Sequence, residues 1–494
     1  MADFLLAIDQ GTSSSRAVIF DSQAKVRFSA QQEFRQYYPK PGWVEHDAEE
    51  IWASVRDVSR RVFAESGVDP SDIAALGITN QRETTLVWNR QTGQTVCRAI
   101  VWQDRRTAER CAELRKAGAE ADIIRKTGLR LDPYFSATKL AWILDNVGGA
   151  REQADAGKLA FGTIDSFLLW RITNGRVHAT DASNASRTLL FNIHTQQWDE
   201  ELLKLFRIPA SMLPEVRNCA DDFGMSDAAA FGVEVPIRAM AGDQQAALVG
   251  QAGFAEGTVK STYGTGCFVI ANTGDTALES KNRLLTTVAW RLDGKVTYGL
   301  EGSIFVAGSA MQWLRDELGI IDSAADSAGI AEQCGIVDSV HVVPAFAGLG
   351  APYWDADARG AILGLSRGSN RDEIVTATVQ AIAYQTRDLT RAMAEDGIKP
   401  AIIRVDGGMA ANDWFLQFLA DILDITVERP VNVESTVLGA ACLAGLSCGL
   451  YSSLDEIAAL WVSETVFAAR MDGKRRDDLY AGWLGAVARV RSSE

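Results

Sequence analysis

FLLAIDQGTSSSRAVIFD, residues 4–21, is the stretch whose reading decides the fold. Phe4–Ile8 and Ala17–Phe20 are apolar runs of strand length, and Gly11 with four consecutive hydroxyl residues lies between them, so the stretch reads as strand, tight turn, strand. Gly11 admits an anion close to the backbone. The N–H groups and hydroxyls of Thr12, Ser13 and Ser14 can donate to phosphate oxygens, and Arg16 can balance the charge. Asp9, at the end of the first strand, accepts only when ionised and suits a hard cation such as Mg²⁺. An ordinary hairpin whose Ser and Thr cap the turn fits the same residues.

The pattern returns in residues 257–272, GTVKSTYGTGCFVIAN, where Gly264-Thr265-Gly266 separates two further strands about half a chain later. Two similar halves, each with a phosphate hairpin, are therefore expected, divided as residues 1–251 and 252–494. At 494 residues the chain is too long for one ordinary core. Its 47% hydrophobic and 23% charged residues describe a soluble globular protein, and a net charge of −15 without a basic patch speaks against nucleic acid or a membrane surface. The seven cysteines form no CxxC pair and the four histidines are scattered, so neither zinc nor a disulfide framework is indicated and a reducing cytoplasm is expected. MADFLLAIDQ has neither the basic start nor the apolar length of a signal peptide. Ser435 to Tyr451 is small and apolar but interrupted by Gly439, Gly445 and Gly449, which reads as a close-packed buried helix rather than a membrane span.

Between these landmarks, Ala48 to Ser66 reads as an amphipathic helix, and Ser303 to Leu318 and Asn370 to Glu395 as further helices. Val26–Phe34, Ile73–Thr79, Thr84–Trp88, His341–Phe346 and Ile402–Val405 read as strands. Asn80-Gln81-Arg82-Glu83 places four polar residues at a strand end, a position suited to a site and equally to a solvated turn. Trp102-Gln103-Asp104-Arg105-Arg106 and Asp132-Pro133-Tyr134-Phe135-Ser136 mix rings with polar groups, which can bind a polyol, rings covering its C–H face and polar groups taking its hydroxyls, and which is also common at ordinary domain edges. Asp243 follows a Gly turn and reads as a helix cap, as a reactive carboxylate, or as both. Asp406-Gly407-Gly408 is a Gly turn between strand and helix that suits phosphates or a flat ligand, and also simple chain reversal.

IDQGTSSSRAVIFD, YPKPGWVEHD, ITNQRETT, DPYFSATKL, AGDQQAAL, STYGTGCF, GLGAPYWDADARG and RVDGGMAAN together resemble the FGGY carbohydrate kinase family, on its glycerol-phosphorylating branch, from the start of the chain to past residue 412. The resemblance implies an α/β protein of two actin-like, ribonuclease H-like domains with the active site in the cleft between them. It implies transfer of the ATP γ-phosphoryl group to a terminal hydroxyl of glycerol, with Asp243 as base. By the same resemblance Arg82, Glu83, Tyr134 and Gln244 hold the glycerol hydroxyls, and Trp102 and Phe268 wall its carbons. Thr12, Ser13, Ser14, Arg16 and Thr265 hold phosphates, Gly308, Gln312, Gly408 and Asn412 line the nucleotide, and Asp9 serves Mg²⁺. A homodimer or homotetramer is expected from the family.

Two other readings stay open: a sister kinase acting on a pentulose or gluconate, and an actin- or chaperone-like ATPase, which leaves Arg82, Glu83, Trp102 and Tyr134 without a role. Some relatives respond to fructose 1,6-bisphosphate at a Gly-Gly-Arg loop, or to phosphorylation of a nearby histidine. Here the corresponding stretch is Asp227-Ala228-Ala229-Ala230-Phe231-Gly232-Val233-Glu234, and no histidine occurs between His194 and His341. Insensitivity to both is expected, although Arg238 lies nearby in sequence as a cation able to restore an anion site.

Overall fold

Each glycine hairpin opens a sheet, and the two sheets share one plan. In the first, β1 (Phe4–Gln10), β2 (Ser14–Asp21) and β3 (Val26–Glu33) form an antiparallel meander. On the other side of β1, β4 (Ile73–Asn80) and β5 (Ile237–Gly242) run parallel to it, giving the order β5-β4-β1-β2-β3. In the second, β6 (Thr258–Tyr263) pairs antiparallel with β7 (Cys267–Asn272), and β9 (Lys295–Ile304) pairs antiparallel with β7 on one edge and with β8 (Leu285–Leu292) on the other. β10 (Ile402–Asp406) and β11 (Thr426–Pro430) lie parallel to β6, and β12 (Ser463–Phe467) closes the edge, for the order β8-β9-β7-β6-β10-β11-β12. The computed structural model describes residues 3–355 and 357–492. Leu5, Leu6, Ala7 and Ile8 are all fully buried, because both faces of β1 are covered; hence the continuous apolar run.

Helix α1 (Ala48–Glu65) covers one face of the first sheet with Ile51, Val55, Val58 and Val62, and Asp47 caps it by accepting from the Glu49 and Glu50 N–H groups. α2 (Asp243–Gly250) continues from β5, and α3 (Gly308–Asp316) follows β9. α4 (Arg371–Glu395) opens with the full capping box of Asn370 and Glu373 that its sequence predicts. α5 (Asp413–Leu423) follows the Asp406-Gly407-Gly408 turn. α6 (Ser435–Cys448) is the buried helix expected from its composition, and no helix of the described residues is long and apolar enough to cross a membrane.

Although α6 follows β11 in sequence, it packs on α2, β4, β5 and β1 of the first half. A Cβ on Gly439 would stand 1.7 Å from the Ala246 carbonyl oxygen, and one on Gly250 2.0 Å from that of Ser435. Glycine is what lets these two backbones touch.

One expected helix is shorter than its pattern. Ser303 and Ile304 finish β9, paired with Phe268 and Cys267, and the helix starts only at Gly308, whose N–H donates to the Gly264 carbonyl at 2.9 Å. Sheet pairing outranks helical periodicity there. The strand expected at 84–88 is Leu86–Asn89, and that expected at 341–346 stops at Val343.

Candidate active site

The turn after β4 carries the polar quartet, and it is buried rather than solvated: Arg82 is 3% and Glu83 1% exposed. Glu83 adopts a left-handed backbone, φ 59°, an uncommon conformation for this residue type that the surrounding packing sustains. Arg82 is the hub. Its Nε lies 3.1 Å from Asp243 Oδ1, its Nη1 donates to Glu301 Oε2 at 2.6 Å and to Gln245 Oε1 at 3.2 Å, and its Nη2 donates to Glu301 Oε1 at 3.1 Å and to the Tyr134 hydroxyl at 3.4 Å. Arg187 bridges Glu83 (2.7 Å) and Glu301 (2.9 Å). Burial alone would raise the Glu301 carboxyl, but Arg187 and Arg82 outweigh it and hold it at about 2.

Asp243 is the first residue of α2, with Gly242 rather than itself as the cap, and its side chain keeps 31% exposure at the open side of this cluster. Withdrawal from water pushes its carboxyl above the usual range, and Arg82 and Lys260 pull the other way. Lys260, fully buried on β6, donates to Gln244 Oε1 at 2.6 Å, so Gln244 is fixed by the second half of the chain.

Three rings stand beside these groups. Trp102 lies edge-on to Tyr134 (5.6 Å) and to Phe268 of the second half (6.1 Å), and its indole N–H donates to the Thr12 hydroxyl at 3.0 Å. Tyr134 is anchored from behind. The Lys139 ammonium donates to the carbonyls of Pro133, Tyr134 and Phe135 at 2.8, 2.5 and 3.0 Å, one for each of its three N–H bonds, although burial pulls Lys139 down to about 8.

A cavity of about 210 Å³ separates the halves, with Asp9, Gly11, Ser14 and Arg16 on one side and Thr262, Asp406 and Gly407 among the residues on the other. Thr262 Oγ1 and Asp406 Oδ1 are buried there and find no hydrogen-bond partner among the described residues. Burial, and after it the Asp243 charge, push the Asp9 carboxyl up to about 7 against the pull of Arg16. Such a carboxylate lacks positive charge. Arg16 itself is engaged by Glu434, with Nη2 on Gln31 at 2.8 Å. The Gly11 N–H closes the first turn on the Ser14 carbonyl at 2.9 Å, leaving Thr12 and Ser13 at its tip.

In the second turn the Thr265 carbonyl accepts from Ala307 (2.9 Å) and Ser309 (3.1 Å), which seats the start of α3 with Gly308 against the hairpin. A Cβ at Gly308 would meet the Gly264 oxygen at 2.6 Å. Gln312 is exposed one turn further along α3. Gly408 faces open space, and Asn412 caps α5 by accepting from the Phe415 N–H at 2.9 Å.

The structure brings together Arg82, Glu83, Trp102, Tyr134, Asp243, Gln244 and Phe268, the set that the resemblance implies for the acceptor. Lys260, Arg187, Gln245 and Glu301 were missed. Arg238 is paired with Asp222 at 2.7 Å, Arg176 with Asp227 at 2.9 Å, Arg60 donates to the Ala229 and Ala230 carbonyls at 2.8 and 3.0 Å, and Glu234 is exposed, so these arginines at the Asp227–Glu234 stretch are already engaged. Millimolar fructose 1,6-bisphosphate is predicted to leave activity unchanged; half-inhibition in a direct titration would contradict this.

Comparison with known proteins agrees with the paired sheets. The N-terminal domain of the FGGY family of carbohydrate kinases matches residues 4–250, and the C-terminal domain of that family matches residues 259–448. The chain is 61% identical over 492 residues to "Glycerol kinase 1" of Pseudomonas aeruginosa and 62% identical over 493 residues to glycerol kinase of Ectopseudomonas mendocina, the full length of both chains being covered in each case. Glycerol kinase of Plasmodium falciparum is 37% identical and superposes with a TM-score of 0.93 over 99% of each chain. A gluconate kinase of Lactobacillus acidophilus, 22% identical, shares the fold with a TM-score of 0.90. The chain belongs to the FGGY family of carbohydrate kinases, within its glycerol kinase branch.

Proposed function

We propose that the chain transfers the γ-phosphoryl group of ATP to a terminal hydroxyl of glycerol, releasing ADP and sn-glycerol 3-phosphate. The observation that carries this reading is Asp243, held 3.1 Å from Arg82, whose Nη2 reaches the hydroxyl of Tyr134 at 3.4 Å, with the ring of Trp102 next to those of Tyr134 and Phe268. A short polyol fits between rings that cover its C–H faces and the polar ends of Arg82, Glu83 and Gln244 that take its hydroxyls. The attacking hydroxyl gives its proton to Asp243 as its oxygen bonds to the γ-phosphorus and the bond to the ADP oxygen breaks. Catalysis by this chain is then chiefly alignment and charge placement.

The turns at Thr12–Ser14 and Gly264–Gly266, one on each half, carry backbone donors suited to phosphates. Thr265, Gly308, Gln312, Gly408 and Asn412 would line the nucleotide, a role supported by the P. falciparum relative, whose structure is described with ADP. Asp9 would hold Mg²⁺, and its raised carboxyl and the unpartnered Asp406 oxygen, which line the same cavity, suit a hard cation. Bound there, Mg²⁺ would neutralise phosphate charge. The seven cysteines are all unpaired, which agrees with a cytoplasmic location. We place the domain boundary at residues 251 and 252, and expect two or four chains per particle, which sedimentation would read directly.

ADP release measured against glycerol, pentuloses, gluconate and no acceptor tests the reading. Release should require glycerol. Release with a sugar acid or pentulose instead would favour a sister kinase, and release without any acceptor an ATPase. Because the phosphate turns sit on opposite halves, Mg-ATP with glycerol should also compact the protein; an unchanged radius of gyration by solution scattering would count against closure.

A further inference from the structure

Glu301 is a fully buried carboxylate in the middle of β9, on the half of the chain assigned here to the nucleotide. Among the described residues its hydrogen-bonding partners, Arg82 and Arg187, both belong to the other half. Its two oxygens take the Nη1 and Nη2 groups of Arg82 at 2.6 and 3.1 Å, a fork-to-fork pair that fixes the plane of the guanidinium. The same Oε1 accepts from Arg187 at 2.9 Å, and Arg187 reaches on to Glu83 at 2.7 Å. With both Nη groups occupied, the edge of Arg82 that meets Asp243 is Nε alone, at 3.1 Å.

This geometry has a chemical consequence. A free guanidinium beside a carboxylate prefers a two-point pair, which here would draw Arg82 onto Asp243 and tie up both the hydroxyl donor and the proton acceptor. Glu301 competes for that fork and keeps the two apart. A spacer in a strand interior needs no such groups, since apolar residues of similar size fill buried positions at equal or lower cost.

We propose that Glu301 is a positioning residue of the acceptor site: it aligns Arg82 directly and Glu83 through Arg187, so that polyol binding depends on a side chain supplied by the opposite half. The inference rests on the glycerol kinase reading. Glu301→Gln keeps the shape but loses the charge and one acceptor oxygen. Its KM for glycerol should rise about 10- to 100-fold while its KM for ATP stays within about twofold, and glycerol binding without nucleotide, followed by calorimetry, should weaken by the same factor. Equal rises in both KM values, or an unchanged KM for glycerol, would overturn the proposal.

Should the single variant fail to fold, the double variant Glu301→Gln, Arg187→Gln removes one charge of each sign. It should show the same split between glycerol and ATP, and a near wild-type KM for glycerol would refute the positioning role. The wild-type chain separates the two levels. No glycerol-dependent ADP release there would refute the function itself, whereas normal wild-type turnover with an unaltered variant refutes only Glu301.

Discussion

Asp243→Asn is expected to lower kcat by about 10²- to 10⁴-fold while glycerol still binds, the usual loss when a positioned general base is removed. Asn has nearly the same shape and can still accept from the Gln244 N–H, as Asp243 does at 2.7 Å, so the start of α2 should be preserved. What disappears is the proton acceptor and the charge facing Arg82 and Lys260. Withdrawal from water raises the Asp243 carboxyl and so makes it the better base, while Arg82 and Lys260 pull in the opposite direction. A variant retaining more than about a tenth of wild-type kcat would remove Asp243 from that role, since a base contributes at least about a hundredfold.

Arg187→Met is expected to cost roughly 3–5 kcal/mol of stability, because removing one partner from a buried pair leaves the other uncompensated. Arg187 is completely buried and serves Glu83 and Glu301 together, so its loss leaves two buried carboxylates with Arg82 as their shared cation. Denaturant unfolding would measure the change, and a loss below about 1 kcal/mol, ordinary for any substitution, would contradict it. The acid limb gives a second reading. Glu301 is depressed from 4.5 to about 2, so its contribution is complete above pH 4.5 and is lost as the pH falls toward 2. In Arg187→Met that acid-dependent loss should shrink, because one of the two charges depressing Glu301 is gone.

The architecture was legible because it is repeated. A glycine hairpin between two apolar runs appears twice, and each copy opens a sheet of the same plan. Arg82, Glu83 and Asp243 could be read as site residues through the resemblance, since polar groups at strand ends fit a solvated turn or a helix cap as well. The partners that orient them could not. Glu301 meets Arg82 across 219 positions of sequence, and only the pairing of β9 with β7 brings it there. A signal did exist: TYGLEGSIF and TVKSTY each carry a single charged residue inside a strand pattern, which is expensive unless the charge is paired. Arg187, in NASRTLLF, carries no comparable mark. The helix expected from Ser303 failed for the complementary reason, since local periodicity could not reveal that β7 claims Ser303 and Ile304. Arg16 was legible as a cation at the phosphate turn, but its contact with Glu434 spans 418 positions and depends on how the halves meet.

Transfer itself is tested most directly by following labelled phosphate. With ATP labelled at the γ position and glycerol in excess, all of the label released from ATP should appear in sn-glycerol 3-phosphate, one equivalent for each ADP formed, and none of it without glycerol. Label accumulating as inorganic phosphate at the rate of ADP formation, whether or not glycerol is present, would contradict the kinase reading.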